Sequence, residues 1–192
     1  MQRSMRRPLK RLAVLGLCGM LPTVAACNSP RDSGGNQATG TTAASPAYKR
    51  LVVGDTAPLY AAATLAGDSV HLGSANEPVT VMNVWATWCT SCREEMQDLE
   101  GLQKEYRSRG VRVLGISVDE ADGVRVRKFV EREKLTFDIV HDQEGRVQGL
   151  YQVSGIPNTF IIARDGRILW KSIGNLHGVV DSLRRVLNTV AQ

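Results

Sequence analysis

The chain has 192 residues, of which 24 are Lys or Arg and 19 are Asp or Glu, with four cysteines and a formal charge of +5. Five of the basic residues and none of the acidic ones precede Cys27, so the remainder is balanced at nineteen of each and holds no basic cluster interleaved with aromatics. That balance excludes nucleic acid as a partner, and the roughly 140 residues beyond the N-terminal region suit one domain with one core.

In chain order, residues 1–26 read as an export signal. Arg3, Arg6, Arg7, Lys10 and Arg11 precede the apolar run Leu12–Met20, and the small residues Ala25-Ala26 stand before Cys27. The run is shorter than the ~20 residues a spanning helix needs. Cys18 lies within it and is lost with the signal. Val24-Ala25-Ala26-Cys27 resembles a bacterial lipobox, which implies that Cys27 becomes the lipidated first residue of an exported, membrane-anchored protein, its thiol turned into a thioether. The alternative is an ordinary secretory signal that leaves Cys27 as a free thiol. Residues 27–50, rich in Gly, Ser, Thr, Ala, Asn and Pro, read as the anchor and a flexible tether with a reach of roughly 25 Å.

Residues 51–192 carry alternating strand and helix patterns. Leu59–Thr64 and Ser69–Leu72 flank Ala66-Gly67-Asp68 as a hairpin, and Val79–Trp85 is an apolar run of buried-strand length. A long helix is expected over Ser91–Arg107, where Met96, Leu99, Leu102 and Tyr106 recur at helical spacing, ending at Gly110. Val111–Val118 reads as a second central strand, and Asp122–Lys134 as a helix capped by Asp122 with Val126, Phe129 and Val130 inward. Phe137–Val140 is a short strand and Gly145–Tyr151 a short helix. Thr159–Ala163 turns through Arg164-Asp165-Gly166 into Ile168–Ile173, and a last helix carries the stripe Leu176, Val179, Val180, Leu183, Val186, Leu187 and Val190. The sum is an α/β fold, a mixed sheet flanked by helices.

The chemistry concentrates at Trp88-Cys89-Thr90-Ser91-Cys92. With Cys18 and Cys27 accounted for, these are the two thiols left to the mature chain, and they fall where a buried strand runs into a helix. Unpaired N–H groups and the dipole at a helix start favour thiolate over thiol, which makes the first cysteine a nucleophile. Glu95 stands three residues beyond Cys92 on the same helix face, beside the inward Met96 and Leu99. A partly buried carboxyl there would have a raised pKa and could exchange a proton with Cys92; the alternative is a first-turn glutamate that complements the helix dipole.

A Trp-Cys-x-x-Cys after a buried strand, then Ile156-Pro157 leading into a strand, a turn, a strand and a terminal helix, resembles the thioredoxin fold over roughly Val52 to Gln192. Asn83-Val84-Trp85-Ala86-Thr87-Trp88-Cys89 and Cys92-Arg93-Glu94-Glu95-Met96 are more narrowly similar to the TlpA/ResA-like membrane-anchored thiol-disulfide oxidoreductases, as are the N-terminal hairpin and the strand-helix unit inserted between Asp119 and Tyr151. The resemblance implies that Cys89 attacks and Cys92 resolves, that Trp88 packs beside the site, and that Pro157, after Ile156, is a cis-proline on the substrate-binding face opposite the disulfide. It implies Glu95 as the proton-exchanging carboxyl where thioredoxin has a buried aspartate at the position of Asn83. Ser91, Gln97 and Asn158 depart from the residues usual in the group and bear on potential and partner choice.

The implied activity is disulfide exchange with protein substrates, with no cofactor beyond the redox-active Cys89–Cys92 pair. Thr90-Ser91 provides no histidine to stabilise the thiolate strongly, which favours a reductant over an oxidant. Such a reductant in an oxidising compartment needs a membrane electron donor. In the resembling group the substrates are apocytochrome c haem-site thiols or copper-site cysteines. Two other readings stay open. A metal chaperone would use Cys89, Cys92 and one of His71, His141 and His177, although none has ligand spacing to the pair. A thiol peroxidase would need a threonine four residues before the reacting cysteine, where Trp85 stands.

Overall fold

The computed structural model describes residues 50–191; the export signal, Cys27 and all of the tether but Arg50 lie outside the described residues. Two short strands, β1 (Tyr60–Ala63) and β2 (Ser69–Leu72), pair antiparallel as a separate hairpin, and Gly67, at φ 97°, makes the turn that a side chain would resist. The main sheet has five strands: β3 (Val79–Trp85), β4 (Val111–Ser117), β5 (Asp138–His141), β6 (Asn158–Ile162) and β7 (Ile168–Ile173), in the order β5-β4-β3-β6-β7. β3, β4 and β5 run parallel, whereas β6 is antiparallel to both β3 and β7, so the sheet is mixed as the sequence implies.

All seven residues of β3 are buried, as are all five of β6, which is why both read as continuous apolar runs and not as an alternation. The core gathers Trp85, Leu99, Leu102, Tyr106, Ile116 and Phe160, all essentially solvent-free, and Trp85 packs on Phe129 with ring centroids 5.1 Å apart. The helices are α1 (Thr90–Glu94), α2 (Met96–Tyr106), α3 (Val124–Glu133), α4 (Arg146–Tyr151) and α5 (Val180–Val190).

Three expectations are corrected. The helix expected over Ser91–Arg107 is two helices that meet at Glu95, followed by a 3₁₀ turn at Arg107–Arg109 that Gly110 ends at φ 72°. Neither proline nor glycine causes the break; the Glu95 carboxylate is held from two other parts of the chain, as described below. Asp122 is not the N-cap of α3, which is Gly123; its Oδ1 instead accepts the Val124 N–H at 3.3 Å in an Asx turn. The terminal apolar stripe divides into a 3₁₀ turn, Leu176–Gly178, and α5, because Val179 between them leaves the helical region at φ −130°, ψ 0°. Strand limits shift by a residue at β5 and β6, leave Leu59 and Thr64 outside β1, and leave Val118 outside β4.

Candidate active site

The site lies at the carboxyl end of β3, the middle strand of the sheet, where open α/β sheets place their chemistry. Ala86 and Thr87 turn the chain out of the strand, and this turn is fixed from below. The Asp119 carboxylate, itself only 2% exposed, accepts from the Thr87 N–H at 2.9 Å, the Thr87 hydroxyl, and the Ser117 hydroxyl at 2.7 Å. Cys89 then caps α1 with extended backbone angles (φ −83°, ψ 111°), and its Sγ accepts the Cys92 N–H at 3.2 Å. An N–H that α1 cannot satisfy internally thus points at the sulfur.

Cys89 and Cys92 are joined as a disulfide. They are not equivalent: Cys89 is 8% exposed and Cys92 has no exposure at all. The outer sulfur lies 3.9 Å from the Ile156 carbonyl oxygen and 3.5 Å from Ser91 Oγ. The Ile156-Pro157 bond is cis, so the resemblance-based expectation and the structure agree, and Pro157 is buried against the site while Ile156 is half-buried. Trp88 does not pack into the domain. It is 62% exposed and stands between two grooves, one on its α3 side and one on its Ile156 side.

Glu95, three residues beyond Cys92, is fully buried. Its Oε1 accepts from Asn83 Nδ2 at 2.7 Å, and its Oε2 accepts the Leu176 N–H at 2.8 Å. Burial pushes the carboxyl up to about 7, against the opposing pull of those two donors. Asn83 Nδ2 also reaches Thr159 Oγ1 at 2.9 Å, while Asn83 Oδ1 is enclosed with no hydrogen-bond partner among the described residues. One carboxyl therefore ties β3, β6 and the turn before α5 to the junction of α1 and α2. Asn175 adds a second tie, its Nδ2 donating to the Ser91 carbonyl between the two cysteines at 3.0 Å. Glu94, one residue earlier, is exposed and takes no part.

Sequence reasoning thus placed Trp88, Cys89, Cys92, Glu95, Ile156 and Pro157 in one neighbourhood, and the fold brings them together. It missed Asp119, Thr87 and Asn175, whose partners are up to 84 residues away and leave no local pattern. Cys27 lies outside the described residues. Among the described residues no group of three or more His, Cys, Asp or Glu side chains is arranged to hold a metal ion. His141 Nε2 contacts the Asp119 carbonyl at 2.8 Å, and His177 lies against Asn175 and 3.8 Å from Asp98. Trp85, at the place a peroxidase would need a threonine, is sealed in the core.

Comparison with known proteins agrees with this geometry. The AhpC/TSA family pattern matches residues 53–171. The thiol-disulfide oxidoreductase ResA of Oceanobacillus iheyensis is 33% identical over 143 residues, spanning 72% of this chain and 73% of the relative. ResA of Geobacillus kaustophilus is 36% identical over 118 residues, spanning 62% and 67%. Among solved structures, a Chlorobium tepidum protein described as a thiol:disulfide interchange protein DsbE superposes with a TM-score of 0.67 at 28% identity, over 73% of this chain and 98% of that one. StoA from Bacillus subtilis shares the fold with a TM-score of 0.59 at 23% identity, over 69% and 98%.

Proposed function

The chain belongs to the AhpC/TSA family and is a thiol-disulfide oxidoreductase of the ResA type, and from that premise we propose that it works outside the cytoplasm as a lipid-anchored reductant of protein disulfides. The observation that carries the reading is the inequivalence of the two sulfurs: Cys89 is partly exposed beside the Ile156 carbonyl, and Cys92 is sealed from solvent.

In the reduced protein the Cys89 thiolate attacks one sulfur of a partner disulfide, and the other partner sulfur leaves as a thiolate. Cys92, losing its proton to Glu95, attacks Cys89 Sγ; the second partner sulfur leaves and the Cys89–Cys92 disulfide closes. Two electrons have passed to the partner. A carboxyl titrating near 7 can take that proton in one direction and return it in the other. The pair needs no further cofactor, and a membrane thiol-disulfide carrier would recharge it. Haem-site thiols of apocytochrome c and copper-site cysteines are the substrates this reading proposes. Lipidation at Cys27 would keep the domain within a tether's length of that carrier.

The reduction potential of the Cys89/Cys92 couple tests the direction. A value near thioredoxin's, about −270 mV, supports a reductant, and one near about −120 mV, where strong oxidants of the superfamily lie, overturns it. Cys92→Ser is expected to trap partners as mixed disulfides at Cys89; equal trapping by Cys89→Ser would reverse the assignment. Growth with labelled fatty acid is expected to mark Cys27, and an unlabelled, fully soluble product would reject the anchor.

A further inference from the structure

On the α3 side of Trp88 runs an open groove of about 620 Å³. Its lining combines the apolar Phe129, Val124 and Trp88 with four cationic side chains. Arg125, Lys128 and Arg132 recur on the outer face of α3 at helical spacing, and Arg93 faces them from α1. Asp122 is the one acidic residue in the lining. Arg132 is engaged with Glu133 at 2.9 Å and lies over the Phe129 ring, and Arg93 reaches Thr90 Oγ1 at 3.3 Å. Arg125 and Lys128, both exposed, make no ion pair or hydrogen bond among the described residues. Beyond the N-terminal region basic and acidic residues are equal in number, so four cations with a single carboxylate against the residue that precedes the reacting cysteine are a local concentration of positive charge.

We propose that this groove receives an acidic peptide segment flanking the target cysteines of the protein substrate. The inference rests on the exchange activity proposed above and specifies which substrates it favours. Three observations choose the occupant. The lining is cationic, so the occupant is anionic. The groove shares Thr87, Trp88 and Arg93 with the segment that carries Cys89, so whatever fills it lies beside the reacting pair, across the Trp88 ring from the Ile156 side. It is lined by two aromatic rings, Trp88 and Phe129, which suits side chains of an extended peptide; a bilayer lying on this face would cover Cys89 and shut out the protein partner. The segment's carboxylates would sit against Arg125 and Lys128 while its cysteines reach across Trp88 to the Ile156-Pro157 side.

The test uses the reduced full-length chain and two synthetic peptides, each closed by a Cys-x-x-Cys disulfide and differing only in whether glutamates or lysines flank it. Stopped-flow exchange at low ionic strength is expected to favour the glutamate peptide on the order of tenfold, with the gap closing in molar salt. The charge reversal Arg125→Glu with Lys128→Glu is expected to invert the preference. Equal rates for the two peptides, or a preference that survives both salt and the reversal, would overturn the proposal. Uncharged hydroxyethyl disulfide, run with the wild-type chain, separates this failure from the larger one: if it is reduced while the peptides are not told apart, only the groove assignment falls, and if no disulfide is reduced the exchange activity falls with it. Phosphatidylglycerol vesicles that bind the wild-type chain and block peptide exchange would also overturn the proposal, in favour of a membrane-facing groove.

Discussion

Glu95→Gln isolates the buried carboxyl with little change of shape. In the wild-type protein burial holds Glu95 at about 7 against an ordinary 4.5. Between those values the native state keeps a proton that the unfolded chain has released, so stability falls as pH rises through the interval. The interval of roughly 2.5 units corresponds to about 3 kcal/mol, fully present below pH 4.5 and lost above pH 7. Glutamine has no proton to lose, and its Nε2 would face Asn83 Nδ2, donor against donor. Rotation of the Asn83 amide resolves this by turning Oδ1, now without a partner among the described residues, toward residue 95, where it can also accept from Thr159 Oγ1. Urea unfolding of the disulfide form from pH 4.5 to 8.5 checks the sign, because neither cysteine titrates in that form. The difference in unfolding free energy, wild type minus variant, should decline by about 3 kcal/mol across the range. Parallel curves would show that Glu95 carries no displaced proton, and its part in resolving the mixed disulfide would go with it.

In the reduced protein iodoacetamide should modify Cys89 at least roughly tenfold faster than Cys92, since only the first combines exposure with a helix-start environment; peptide mapping of the adducts reads the ratio, and equal rates would remove the distinction between attacking and resolving thiols. Asp119→Ala strands the buried Thr87 N–H and should cost about 3 kcal/mol in urea unfolding, with faster hydrogen exchange at Thr87 than at the β3 amides. Gly115→Ala places a Cβ 2.8 Å from Ile139 Cδ1 and 3.0 Å from Trp85 Nε1, so overpacking should lower stability by about 1–3 kcal/mol; an unchanged denaturation midpoint would mean that β4 and β5 yield there.

Much of this arrangement can be read along the chain. β3 and the redox pair are legible because an apolar run of strand length meets a thiol motif at a helix start, a coincidence of local signals. The break at Glu95 is not, because Met96, Leu99 and Leu102 keep helical spacing on one side while no residue on either side is a helix breaker. What holds the junction is a demand from outside the helix: the Leu176 N–H, 81 residues on, and the Asn83 amide each bind one oxygen of the carboxylate. Asp119 is invisible for the same reason, since an aspartate after a strand reads as a turn residue until the Thr87 turn is folded over it. The cationic stripe of α3 was within reach, as Arg125, Lys128 and Arg132 sit at three- and four-residue spacing; only the placement of Trp88 opposite them makes it a groove.

The division at Glu95 bears directly on how the two cysteines can differ. Were α1 and α2 one straight helix, residue 95 would continue the turn that starts at Cys89, and its carboxylate would have to reach β3 from a fixed helical position. At the junction it is freed to be an anchor. The carbonyl of Glu95 accepts the Leu99 N–H and starts α2, while its side chain is bound to β3 and to the turn before α5. Cys92 is thereby held under a roof fastened at three sequence-remote points, with Asn175 on the Ser91 carbonyl as the third, whereas Cys89 is held from its own side by the Thr87–Asp119 clamp. The tie from Thr87 lies on the Cys89 side of the pair and those from Asn83 and Leu176 on the Cys92 side. Motion that opens the outer sulfur to a partner need not expose the inner one, and an exchange reaction that passes first through Cys89 and then through Cys92 requires that order.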